Sequence, residues 1–81
     1  MQPFTVEQVR AARAFLGWRQ VDLGEASGLS FETIRNFETS RFPLSAESIA
    51  AMRKAFKKAG VEFHRRGKRI GVTIPVHRRR W

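Results

Sequence analysis

Four side chains in one short stretch have the types and spacing to read a base pair. Phe31, Glu32, Arg35 and Asn36 fall on one side of a helix, while Ile34 and Phe37 fall on the other. The Asn36 amide complements adenine N6 and N7, and Glu32 can accept from cytosine N4. The Arg35 fork matches guanine or a phosphate, and Phe31 can touch a thymine methyl. Each type also has a plainer role. Glu32 suits the positive end of a helix dipole, Phe31 can fold back onto a core, and Asn36 can simply be solvated.

Catalytic or metal chemistry is not legible. His64 and His77 are the only histidines, Asp22 is the only aspartate, and there are no cysteines. No Cys/His cluster, paired carboxylates, phosphate-cradling glycine loop or nucleophile–base pair occurs, so the expectation is a binding protein without metal or cofactor, not an enzyme. The lack of cysteine fits a reducing cytoplasm. No apolar run approaches the roughly 20 residues that span a bilayer, and Met1–Thr5 lacks the start of a signal peptide. A cytoplasmic protein with no membrane partner is expected.

The elements that must position residues 31–36 can be read from caps and periodicity. Thr5 and Gln8 form a capping box, with Phe4 and Val9 as a hydrophobic staple. Val6, Val9, Ala12, Phe15 and Leu16 make the inner stripe of a first helix that Gly17 ends. A second helix runs from about residue 19 or 20 to Ser27, with Leu23 and Ala26 inward. Gly28-Leu29-Ser30 is a turn, and Ser30 caps a third helix over about 31–39. Pro43 bars helix at Phe42. Ser45 then caps a fourth helix with Ile49, Met52, Phe56 and Ala59 as its stripe, stopped by Gly60.

From Val61 the apolar period changes from 3.6 to 2, which predicts a hairpin over about 61–74. Pairing Phe63 with Ile70 and Val61 with Val72 leaves Arg66-Gly67 as a two-residue turn. An isolated hairpin is barely stable, so this one must pack on the helices or on another subunit. Residues 1–75 read as one domain, and 76–81 as a basic tail.

The formal net charge is +9, and its distribution is uneven. Residues 1–44 hold five basic and five acidic groups, whereas residues 45–81 hold eleven basic groups against Glu47 and Glu62. A polyanion is the natural partner, because neutralising phosphates releases counterions. The fourth helix contributes Arg53, Lys54, Lys57 and Lys58, some of which also suit the negative end of its dipole.

The stretch from Gln20 to Glu38 reads QVDLGEASGLSFETIRNFE. It resembles the helix-turn-helix of the Cro/cI-type repressor family (the XRE family) over about residues 6–60. The hairpin is similar, more loosely, to that of small single-domain members. The resemblance implies a mainly α fold: a four-helix, lambda-repressor-like bundle followed by a β-hairpin. It implies that Gln20 contacts phosphate and braces the third helix, and that Leu23, Ala26, Leu29, Ile34 and Phe37 are core. Gly24 stands where the family usually has alanine, which should weaken the second helix by up to about 1 kcal/mol. Arg13 and Glu38 match an internal ion pair of some members, and Ser40 replaces a common glycine.

The implied function is a transcriptional regulator that binds an inverted-repeat operator in double-stranded DNA as a homodimer, with helix 31–39 in the major groove. Phe31, Glu32, Arg35 and Asn36 would then read bases. Gln20, Thr33, Arg19, Arg41 and the tip residues Arg65, Arg66 and Lys68 would meet phosphates. Val61, Phe63, Ile70 and Val72, with the fourth helix, would form the dimer interface. A repressor of its own operon, on a phage or other mobile element, fits such a regulator. An antitoxin paired with a protein toxin is the alternative, and a basic architectural or RNA-binding protein acting through its tail is a third.

Overall fold

Local signals account for most of the element boundaries in the computed structural model, which describes residues 4–75. Helix α1 spans Val6–Leu16, α2 Gln20–Ser27, α3 Phe31–Ser40 and α4 Ala46–Lys58. Strands β1 (Glu62–Arg66) and β2 (Arg69–Thr73) follow as a two-stranded antiparallel sheet. The basic residues expected in a tail, 76–81, lie outside the described residues. Among those described, no helix is long and apolar enough to cross a membrane.

The caps are chemical. Thr5 Oγ1 accepts from the Gln8 backbone N–H at 3.1 Å, and Gln8 Oε1 accepts from the Thr5 N–H at 2.9 Å, so two orphan donors of α1 are satisfied together. Ser30 and Ser45 cap α3 and α4 in the same sense, each accepting from the N–H three residues on. Helix α3 closes at Arg41, whose φ of 53° is left-handed, so the expected departure at Ser40 is taken up one residue later.

The core is built from Phe4, Val6, Val9 and Ala12, with Leu23, Ile34, Phe37, Met52, Ala55, Phe56 and Val61. Two residues expected inside are not. Phe15 is 54% exposed, because it lies on the flank of the stripe set by Val9, Ala12 and Leu16. Ala26 is exposed because the inner side of α2 is centred between Leu23 and Ser27, with Gly24 buried there. Ser27 instead donates to the Leu23 carbonyl at 2.7 Å and accepts from the Leu29 N–H at 3.3 Å, which ties the end of α2 to the turn.

The hairpin register corrects the sequence reading. Phe63 pairs with Val72, Arg65 with Ile70 and Arg66 with Arg69, leaving Gly67-Lys68 as the turn. An Arg66-Gly67 turn of the favoured kind would place an arginine at positive φ. The observed turn needs positive φ only at its first central position, where Gly67 supplies 60°. Phe63 therefore changes partner by two residues, which preserves the face. That face covers the chain's own core. The Phe63 ring lies 5.2 Å from Phe4 and 5.4 Å from Phe56, Val61 is 4% exposed, and Val72 and Ile74 pack beside them. Of the four residues expected at a dimer interface, only Ile70 stays largely open, since its partner is Arg65 near the tip.

Candidate nucleic-acid interface

Helix α3 owes its orientation to its inner side. Ile34 and Phe37 are buried, and Glu38 is buried as part of an ion network. Arg13 of α1 donates from Nε and one terminal nitrogen to the two Glu38 oxygens, at 2.8 and 2.7 Å. Its other terminal nitrogen donates to the Trp18 carbonyl at 3.0 Å, and Gln20 Nε2 donates to Glu38 Oε1 at 3.2 Å. The ion pair expected of Arg13 and Glu38 is therefore present, with Glu38 only 2% exposed. Gln20 joins it, so α1, the start of α2 and the end of α3 are held by one carboxylate.

With that side locked, Phe31, Glu32 and Arg35 are exposed and Asn36 is half-buried. Phe31 does not fold onto the core. Its ring is 44% exposed and carries the Arg35 guanidinium 5.7 Å from its centroid, a cation–π arrangement one helical turn apart. Thr33 Oγ1 lies 2.8 Å from Ser30 Oγ at the start of the helix. Sequence reasoning missed the far bank of this surface. Thr33 and Asn36 share a depression with Phe42, Leu44, Ser45 and Ser48. Phe42 is 65% exposed there, and Pro43, which holds the loop extended, was the available signal.

The angle between α2 and α3 depends on Gly24. A Cβ at this position would lie 2.9 Å from the Leu29 carbonyl oxygen and 3.6 Å from Ile34 Cδ1. Glycine here is required by a close backbone approach, and is more than a weak helix former in place of alanine.

Several cations expected at phosphates are already engaged. Arg19 donates from its guanidinium to both Asp22 oxygens at 3.0 Å. Those bonds, with one from the Arg19 backbone N–H, hold the Asp22 carboxyl below the usual range. Arg41 reaches Glu7 of α1, and this hydrogen bond likewise lowers the Glu7 pKa. Both pairs are solvent-exposed, so a phosphate could compete for either arginine. Arg65, Arg66 and Lys68 are exposed at the hairpin tip. His64 hydrogen-bonds Thr73 across the strands at 2.8 Å, and the described residues contain no group of three metal-ligating side chains.

No protein-family model matches the chain, and no curated protein matches its sequence.

Proposed function

We propose that this chain is a sequence-specific DNA-binding transcriptional regulator of the Cro/cI type, with α2 and α3 as its helix-turn-helix and α3 entering the major groove. The observation that carries the reading is the division of α3 into two sides. Ile34, Phe37 and Glu38 are fixed inward, while Phe31, Glu32 and Arg35 face solvent beside a half-buried Asn36. Such a rigid, outward-facing set of unlike hydrogen-bonding groups suits base edges. Gln20 supports the reading too, since its brace to Glu38 leaves it at the start of α2, where a phosphate contact is geometrically natural.

The regulator acts as a homodimer on an inverted repeat, with half-sites about 34 Å apart. Because most of the hairpin's apolar face is used internally, the subunit contact is narrower than the four-residue face, with Ile70 at its edge. Repression of its own operon is the simplest physiological form.

The test is selection of duplexes from a random pool, followed by nuclease footprinting of the DNA upstream of the gene. A recurrent, two-fold related sequence protected over two successive helical turns is expected. A pool that yields no preferred sequence overturns the reading.

A further inference from the structure

Only one exposed, unpaired cation, Arg35, belongs to α3. Among the described residues of 4–44, Arg13, Arg19 and Arg41 each hold a carboxylate, which leaves Arg35 and Arg10 of α1. The excess lies on α4, with Arg53, Lys54, Lys57 and Lys58, and around the hairpin tip, with Arg65, Arg66, Lys68 and Arg69. All eight are exposed, and among the described residues none of them forms an ion pair. Phe4 meets both regions, its ring centroid 6.5 Å from that of Phe37 of α3 and 5.2 Å from that of Phe63 of β1. The hairpin is tied to α1 through Gln8 and to α4 through the Phe56–Phe63 ring pair.

We propose that α4 and the hairpin form a second polyanion-binding surface, which grips a separate segment of duplex DNA through its phosphates while α3 holds the operator. The inference rests on the reading of α3 above and adds a second duplex to it. Two further observations favour it. Arg66 is directly opposite Arg69 in the strand ladder, a like-charge pairing that disfavours the folded hairpin until an anion lies over it. Beside the strands, a groove between α4 and β1 is lined by Arg53, Lys57, Val61, Phe63 and His64, with Glu62 the one acid on its rim. The helix dipole explains Lys57 and Lys58 in the last turn of α4, but not Arg53 or the hairpin cations. DNA carries one charge per roughly 1.7 Å of axis, so even a short segment offers a phosphate to each cation that reaches it.

The experiment tethers to beads the duplex selected from the random pool, saturates it with the full chain, and adds a fluorescent duplex of unrelated sequence. The bead-bound protein should capture the second duplex, and salt should abolish capture steeply. The combined variant R53S/K54S/K57S/R69S, which spares the tip residues expected at operator phosphates, should stay on the beads, keep its melting temperature, and capture at least about tenfold less. Wild-type protein that binds the beads but captures nothing overturns the inference. So does a variant that captures like the parent, which would assign bridging to paired α3 helices or to residues 76–81. A folded variant that leaves the beads also overturns it, by showing both surfaces on one duplex. Capture of phosphatidylserine vesicles without capture of duplex would reassign the surface to lipid. Failure to select any duplex in the first step is the separate failure of the α3 reading.

Discussion

Gln8 Nε2 lies 2.9 Å from the carbonyl oxygen of Gly71 and donates to it, and its second hydrogen goes to the His64 carbonyl at 3.1 Å. The side chain that caps α1 through Oε1 thus also joins that helix to both strands. All three contacts lie within a buried residue. Gln8→Ala should destabilise the fold by about 1–3 kcal/mol, since two partly buried carbonyls lose their donor. Thr5→Ala removes only the cap and should cost about 1 kcal/mol. Gln8→Glu keeps a capping acceptor but sets a carboxylate against two carbonyls, so it should be worse than alanine. Hydrogen exchange should rise in residues 62–73 for both Gln8 variants and stay near the parent for Thr5→Ala.

Gly24→Ala is expected to lower stability, against its helix propensity. Alanine gains about 1 kcal/mol in a helix interior. The added methyl lies 2.9 Å from backbone at Leu29, however, and overpacking of that kind typically costs about 1–3 kcal/mol. A thermal melt decides the sign, and a higher midpoint for Gly24→Ala would show that the turn yields freely.

Glu38→Gln should cost about 3 kcal/mol, because it strands the Arg13 guanidinium against a nearly dry site. Arg13 is itself 17% exposed, which argues for the lower end of the usual range. Urea titration followed by Trp fluorescence reads the loss directly, since Arg13 also holds the Trp18 carbonyl. A midpoint equal to the parent's would mean the network has no structural weight.

Acid should weaken the fold through Glu7 and Asp22. Both carboxyls are depressed by arginine hydrogen bonds. Their contribution is complete above the unfolded values near pH 4 and disappears as pH falls through the lower folded values. Glu7 is exposed and Asp22 partly so, each beside an exposed arginine, so the effect should be small and should shrink in high salt. Glu7→Gln should make the melting temperature less sensitive to pH below about 4 and leave neutral behaviour nearly unchanged.

On a selected operator, Asn36→Ala should lose about 1–3 kcal/mol of binding and little on random DNA. Glu32→Ala should relax the preference at one base pair while raising non-specific affinity, because a negative charge leaves the interface. Binding across all single-base operator variants separates these outcomes. Unchanged preference profiles in both variants would mean that α3 is not the reading element.

Determined by the sequence alone were the features that depend on neighbours three or four residues away. Thr5, Ser30 and Ser45 start helices because a hydroxyl reaches an N–H three residues on, and the spacing of Val9, Ala12, Ile34 and Phe37 marks their inner sides. Alternation through Phe63, Val72 and Ile74 likewise marks the face of the hairpin that packs inward. The hairpin turn is local in origin too: face parity is the same for partners two residues apart, and the register with Gly67 at the first central position is the one that needs no arginine at positive φ. Only the tertiary structure decided that Gly24 meets a carbonyl, that Gln8 reaches two strands, and that Arg19 and Arg41 hold carboxylates while the cations of α4 and the hairpin do not. Those outcomes rest on distances between elements, and residue spacing along a chain carries no distance across a core.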